Sequence, residues 1–160
     1  MKKFFTVLAV LLPFMMGAQN TVLPRVYDAQ RTNEKIKIDG KLNEKAWLEA
    51  KPSENFADIR GFDYPAPTKQ TSMKMVWDDN YLYIGATIEE DNITGSITKR
   101  DDIIWHDNDF EVFLDPFCDG QLYYELENNA LGTVMDLMMT KPYSKGGKFI
   151  MGWDYKDLKL

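Results

Sequence analysis

The sequence is poor in the residues that build most metal and nucleophilic sites. Of its 160 residues, only Cys118 is a cysteine and only His106 is a histidine. One cysteine cannot form an intramolecular disulfide or a cysteine-based metal cluster, and one histidine leaves the usual zinc sites without ligands. The G-x-S-x-G and P-loop patterns are also missing, which argues against serine hydrolases and NTPases. Cys118 is expected to be a small apolar filler or a free thiol.

Positive charge is scarce as well. The chain has 19 Lys and Arg against 25 Asp and Glu, for a formal net charge of −6. Phosphate backbones and anionic membrane surfaces repel such a domain, so nucleic acid and membranes are poor candidates as partners. Hydrophobic residues make up 44% and aromatic residues 13% of the chain, which is typical of a globular protein. A single domain is expected at this length, and we expect a monomer.

The N-terminus has the organisation of a secretory signal peptide at residues 1–18. Lys2 and Lys3 form a basic region, an apolar stretch follows from Phe4 to Met16, and Ala18 ends a passable cleavage site. The apolar stretch is short for a membrane span, which disfavours an uncleaved anchor. We therefore expect a secreted or periplasmic protein with no membrane attachment after cleavage.

The rest of the chain shows short strands and little helix. Residues 19–35 form a polar lead-in, and residues 36–160 form the predicted domain. Ile36 and Ile38 alternate with lysines and predict a short strand, and Asn43 is expected to cap a helix at 44–50 that places Trp47 on a sheet. Further strands are predicted at 71–77, 81–89, 105–115, 121–128, 132–139 and from 149 onward. This pattern predicts an all-β antiparallel sandwich with one short N-terminal helix.

The densest set of chemical groups lies in the segment WHDNDFE at residues 105–111. In an extended strand, the side chains of Trp105, Asp107, Asp109 and Glu111 project from one face. An indole can cover the apolar face of a sugar ring, and a carboxylate can accept hydrogen bonds from two neighbouring hydroxyls. Trp105 and Glu111 fit these two roles.

Three nearby side chains can extend such a site. His106 is too isolated to be the base of a catalytic triad and is expected to be a loop residue or a donor at the rim of a ligand site. Glu125 and Glu127 share one face of the next predicted strand and can add hydrogen-bond acceptors. An exposed strand face is the alternative explanation of these two acids.

Other interpretations of the same acids stay open. Asp107, Asp109 and Glu111 can supply the nucleophile and the acid of a sandwich glycoside hydrolase, and the D-x-D-x-E pattern faintly resembles the E-x-D-x-E strand of laminarinase-like enzymes. A structural calcium site that uses Asp91 or Asp107 is also plausible, although the spacing does not fit an EF-hand. The simplest interpretation is a solvated strand face with Trp105 in the core.

Four segments in order resemble family 9 carbohydrate-binding modules and their DOMON-like relatives. The segments are IDGKLNEKAW at 38–47, VWDDNYLYI at 76–84, WHDNDFEVFLDP at 105–116 and YYELENNALGTVMD at 123–136. The resemblance implies a β-sandwich without catalytic activity that binds the ends of plant polysaccharides between two tryptophans. It also implies frequent structural calcium and attachment to secreted glycan-active proteins. A haem-binding relative is disfavoured because only one histidine is present.

The resemblance also assigns roles to single residues. Trp105 falls at the position of the first sandwiching tryptophan, and Glu111 at that of a glutamate that binds hydroxyls. Glu125 falls near a position where such modules use arginine. The second tryptophan has no counterpart before Leu160, because Trp153 lies in a different context, so the domain is expected to be incomplete at its C-terminus.

The predicted function is therefore carbohydrate binding in carbohydrate catabolism, with a glycoside hydrolase as the alternative. The predicted ligand-binding residues are Trp105, His106, Asp109, Glu111 and Glu125. The predicted ligands of a structural calcium ion are Asp91 and Asp107.

Overall fold

The chain forms a mostly β structure of two sheets with one short α-helix, which confirms the predicted all-β sandwich. The structure is a computed structural model and describes residues 24–61 and 63–160. The predicted signal peptide at 1–18 lies outside the described residues, as does the start of the polar lead-in. Within the described ranges, no helix has the length and apolar character needed to cross a membrane.

The first sheet has the strand order β1-β2-β3, with β1 at Gln30–Arg31, β2 at Thr71–Trp77 and β3 at Leu82–Ile88. Strands β2 and β3 form the predicted hairpin, in antiparallel register from Thr71 opposite Ile88 to Trp77 opposite Leu82. Asp78 closes its turn, because one carboxylate oxygen accepts hydrogen bonds from the backbone N–H groups of Asn80 and Tyr81 at 2.7 and 2.8 Å. Strand β1 lies within the predicted lead-in and pairs in parallel with β2.

The helix α1, at Lys45–Glu49, covers one face of the first sheet. Its Trp47 is buried in a core cluster with Ile36, Ala50 and Val76, as predicted for this tryptophan. The predicted cap at Asn43 is wrong: the helix begins two residues later and lacks a cap from its own flanking side chain. Instead the carboxylate of Glu34 accepts a hydrogen bond from the N–H of Ala46 at 2.8 Å. A distant residue thus satisfies a first-turn amide.

The strand predicted at Ile36 and Ile38 is also wrong. Ile36 is buried, Ile38 is 45% exposed, and neither residue belongs to a strand. The N–H of Lys37 donates to the carboxylate of Glu44 at 3.1 Å rather than to a neighbouring strand. The segment is therefore an extended loop that contributes one core residue beside α1.

The second sheet is antiparallel, with the order β4-β5-β6-β7. Its strands are β4 at Asp109–Leu114, β5 at Tyr123–Asn129, β6 at Val134–Met139 and β7 at Phe149–Ile150. The strand predicted from Phe149 onward ends at Ile150 and pairs with the end of β6. The strand predicted at 105–115 begins only at Asp109, because Ile104–His106 form a 3-10 helix. Trp105 and Asp107 therefore do not share a strand face with Asp109 and Glu111.

The two faces of the second sheet have different environments. One face carries Met135, Leu137 and Met139 of β6, which pack against Ile104 in a second core cluster. The other face, with Phe110, Val112, Leu114 and Leu126, borders an apolar groove of about 600 Å³ that also contacts Leu82, Ile84 and Ala86 of β3. The 3-10 helix is thus held against the first of these faces by a fully buried isoleucine. Cys118 lies outside both cores as an exposed free thiol.

Candidate functional site

Four carboxylates line the β4–β5 part of the face that carries Met135, Leu137 and Met139. We call Asp109, Glu111, Glu125 and Glu127 the acid row. The register places Glu111 directly opposite Glu127, Asp109 opposite Asn129 and Phe113 opposite Glu125. Carboxylate oxygens of Asp109, Glu111 and Glu127 all lie within 4.8 Å of one another. Like charges directly opposite each other destabilise a sheet, so the arrangement requires compensation.

The acid row is buried on β5, and on β4 only Glu111 is exposed. Glu125 and Glu127 are only 2% and 4% exposed, whereas Glu111 is exposed at the surface. The alternative of an exposed strand face is therefore wrong for Glu125 and Glu127. Oδ2 of Asp109, Oε1 of Glu125 and Oε2 of Glu127 are buried without a hydrogen-bond partner. Among the described residues, no lysine, arginine or histidine forms an ion pair with the row.

Burial changes the protonation of these acids. It raises the pKa of Glu127 to about 8, and the nearby charges of Glu111 and Asp109 add to the effect. Burial also raises the pKa of Asp109, Glu111 and Glu125, although Tyr143 partly opposes it at Glu125. Because closely spaced acids titrate as a group, the row holds at least one proton at neutral pH when nothing else neutralises it.

Tyrosines surround the Glu125 end of the acid row. The hydroxyl of Tyr143 donates to Oε2 of Glu125 at 2.9 Å, and this tyrosine lies on the 3-10 helix Tyr143–Lys145. The ring centroids of Tyr123 and Phe113 lie 6.2 Å apart. Phe113 is 54% exposed. Glu125 therefore has a hydroxyl donor within the fold, while its other oxygen stays unpartnered.

Trp105 lies on the 3-10 helix and is 55% exposed, so the interpretation that places it in the core is wrong. Its neighbour Ile104 is fully buried, which fixes the backbone while the indole stays in contact with solvent. The ring of His106 lies edge-on to the indole with 6.0 Å between centroids. His106 is exposed but ends the 3-10 helix, so its predicted place in a loop is wrong, and its role as a donor at the rim of a ligand site stays a prediction.

Asp107 fixes the position of this helix relative to the sheet. Its carboxylate accepts hydrogen bonds from the N–H and hydroxyl of Ser96, the N–H of Ile97 and the amide of Asn129, all at 2.8–2.9 Å. The backbone N–H groups of Ile97 and Ser96 hold the pKa of Asp107 well below its usual range. Since Asn129 lies opposite Asp109, these bonds tie the end of the 3-10 helix to β5 near the Asp109 end of the acid row.

The acids predicted to bind calcium lie elsewhere. Both oxygens of Asp107 accept the hydrogen bonds just described, and Asp91 is an exposed residue that pairs with Lys69. Neither belongs to the two groups of three acids that the described residues bring together. A calcium role for Asp91 and Asp107 stays a prediction, and the geometry gives Asp107 a role as a structural anchor.

Sequence reasoning missed two residues of this site and gave a third a minor role. It treated Glu127 as a supplementary acceptor on a face that could be exposed, and it assigned no role to Asn129 or Tyr143. The alternation E-x-E-x-N on β5 is the available signal, because it places Glu125, Glu127 and Asn129 on one strand face. The contact of Tyr143 with Glu125 spans 18 residues and has no local signature.

Comparisons with known proteins identify the family. The model of the family "Carbohydrate family 9 binding domain-like" matches residues 38–147, more than half of the chain, so the protein belongs to this family. Within this range lie Trp105 and the whole acid row. Membership in this family supports carbohydrate binding and confirms the resemblance found in the four sequence segments.

One similar protein is Endo-1,4-beta-xylanase A of Thermoanaerobacterium saccharolyticum. It is 32% identical over 88 residues, which cover 55% of this chain and 7% of the xylanase. The matching region is thus a small part of a much longer protein. No solved structure matches the chain.

Proposed function

We propose that this protein is an exported, non-catalytic carbohydrate-binding module that binds the ends of plant-type polysaccharides or oligosaccharides. The observation that carries the proposal is the exposed indole of Trp105 on a 3-10 helix that Asp107 ties to Asn129 of β5, the strand that carries Glu125 and Glu127 of the acid row. A sugar would place its apolar face on the indole and its hydroxyls on the carboxylates. The proposed setting is carbohydrate catabolism outside the cytoplasm.

The chemistry of the two parts is complementary. Covering about 100 Å² of indole and sugar contributes ~2.5 kcal/mol at 25 cal/mol per Å². A hydroxyl that donates to a carboxylate contributes about 1.5–3 kcal/mol. After the cost of association, a single sugar residue would bind with a Kd on the order of 0.1–1 mM, and longer ligands that also reach Phe113 would bind more tightly.

Two observations support the finer parts of the proposal. The basic and apolar segments of residues 1–18 support export, as they are typical of a cleaved signal peptide. The similarity to a protein named as an endo-1,4-β-xylanase supports a plant-type glycan as the ligand class.

Affinity electrophoresis of the full chain in gels containing soluble xylan or β-glucan tests the proposal. We expect Trp105→Ala to reduce retention at least tenfold in apparent affinity. Phe117→Ala is the matched control, because Phe117 is an exposed aromatic residue outside the row, and it should leave retention unchanged. Retention of the folded Trp105→Ala variant at the wild-type level would remove the indole from the binding site.

One observation favours glycoside hydrolysis as a second candidate function. Retaining glycosidases hold two carboxyl groups about 5–5.5 Å apart, one of them protonated. Oxygens of Asp109, Glu111 and Glu127 lie within 4.8 Å, and the pKa of Glu127 is raised to about 8. Release of reducing sugar from a glycan panel, lost in Glu127→Gln, would support this function; a panel without any release would exclude it for those glycans.

A further inference from the structure

The first sheet has one covered edge and one open edge. On the side of β2 that faces away from β3, the backbone is bonded along the length of the strand by groups of four preceding residues. These residues are Tyr27, Thr32, Ser53 and Phe56, and the bonds measure 2.8–3.2 Å. The fold therefore satisfies the outward backbone groups of β2 with its own chain.

The outer side of β3 is the open edge. The N–H of Glu89 donates to the C=O of Gln70, and the N–H of Asp78 donates to the C=O of Tyr81. With the antiparallel register, these two bonds show that the odd-numbered residues of β3 bond β2. The N–H and C=O groups of the even-numbered residues therefore point away from the sheet, and these residues are Leu82, Ile84, Ala86 and Ile88. Within the described part of the chain, none of these groups has a hydrogen-bond partner.

The side chains of β3 do not protect this edge. Natural sheets protect their edges with charged residues, prolines or bulges. The sequence LYIGATI of β3 contains no charge and no proline, and its register with β2 is unbroken. The edge strand β4 of the second sheet, in contrast, carries Asp109 and Glu111. The apolar groove of about 600 Å³ borders β3, so a row of free backbone groups lies next to an apolar surface. This combination binds an extended polypeptide strand.

Charge disfavours a second copy of this chain as that strand. A two-fold symmetric pair of β3 strands has to be antiparallel. Asp78 precedes β3, and Glu89 and Glu90 follow it, and among the described residues none of the three forms an ion pair. An antiparallel pair would bring the acidic end of one strand towards the acidic start of the other, where like charges repel. A different strand with a basic residue beyond each end meets these acids with opposite charge.

We propose that the open edge of β3 binds an extended segment of a partner protein by β-strand addition. The segment has apolar residues at alternate positions, which enter the groove, and no charge along the paired length. It carries a lysine or arginine beyond each end. This inference does not rest on the proposed carbohydrate binding, because it involves the first sheet and none of the carboxylates of the acid row.

Hydrogen exchange of the full chain, followed by NMR with the synthetic peptide KKVTVTVTVKK, tests the proposal. At saturating peptide, the amides of the even-numbered residues of β3 should exchange at least tenfold more slowly than in the free chain. The amides of the odd-numbered residues, which already bond β2, should change little. The same peptide methylated on its valine amide nitrogens should not bind, because it keeps the side chains and loses the donors that would face β3.

Two variants of the chain place the binding on this edge. Ala86→Pro removes one outward N–H and leaves the bonds to β2 in place, so it should weaken peptide binding at least tenfold. Leu82→Lys, at a position that is 49% exposed, adds a charge to the edge without threatening the fold and should also weaken binding. Ile59→Lys, the same kind of change at a fully exposed position outside the groove, is the matched control and should bind like the wild type.

Three results would overturn the proposal. The first is the absence of peptide binding, and the second is binding that leaves the even-numbered amides unprotected or survives in both edge variants. The third is slow exchange of these amides without peptide, because the edge would then already be covered. If that protection increased with protein concentration, a second copy would be the occupant.

Discussion

Glu127 makes the stability of the protein strongly dependent on pH. The unfolded chain releases this proton near pH 4.5, whereas the folded chain holds it until the pKa of about 8. Between these values the unfolded state binds fewer protons, so the free energy of unfolding falls as the pH rises. The full shift, at 1.36 kcal/mol per pKa unit, sets an upper limit of about 5 kcal/mol, of which about 3 kcal/mol is lost between pH 5 and pH 8.

The Glu127→Gln variant isolates this effect. Glutamine has nearly the same shape and no titrating group, so the variant should be more stable than the wild type at pH 8 and gain little at pH 5. At roughly 4 °C of Tm per kcal/mol, the difference between the two proteins should grow by about 10 °C over this range.

Differential scanning calorimetry in EDTA from pH 5 to pH 8.5 measures the difference. Glu49→Gln, at an exposed helix position, is the control and should follow the wild type at every pH. If the Tm of Glu127→Gln and of the wild type changed with pH in parallel, ionisation of Glu127 would not destabilise the fold, and the reasoning would be refuted.

Three further predictions concern the scaffold. Gly85→Ala should destabilise the fold by about 1–3 kcal/mol in urea unfolding, because the new Cβ would lie 2.4 Å from a methyl of Leu42. Adding Leu42→Ala to this variant should relieve part of the loss. An unchanged urea midpoint of Gly85→Ala would contradict the close packing. Trp47→Ala should cost about 3–5 kcal/mol in the same assay, and a loss below 1 kcal/mol would argue against its core position. Asp107→Asn should lower the Tm above pH 4. The variant should also lose the part of the acid-induced destabilisation that comes from protonation of Asp107 as the pH falls through its depressed pKa. Acid unfolding identical to that of the wild type would contradict the bonds of Asp107 to Ser96.

Local patterns were sufficient to predict the elements whose contacts are local. The hairpin of β2 and β3 follows from two alternating strands and the turn at Asp78, whose carboxylate bonds only the next few residues. Trp47 lies against the first sheet as predicted, whereas Leu48, the other large apolar residue of α1, is 70% exposed.

Distant contacts explain the errors. Glu34 bonds the first turn of α1 from 12 residues away, and no local rule could choose it over Asn43. The sequence predicts Trp105 on β4, but Trp105 lies on a 3-10 helix, and Asp107 at the end of this helix accepts bonds from Ser96 and Asn129, 11 and 22 residues away. The composition of the site was thus predictable, whereas its geometry depended on tertiary contacts.

Independently of Trp105, the charge balance of the buried acids supports a ligand site on the acid row. Asp136 is more deeply buried than Glu127, yet it is fully bonded by Arg100 and a backbone amide. A fold that can supply a guanidinium to one buried carboxylate supplies none, within the described residues, to the group around Glu127. The missing partner is therefore expected from solvent, as a proton or as the hydroxyls of a sugar. Both reach the row from the exposed side of Glu111, so sugar binding and protonation of the row are expected to influence each other at this position.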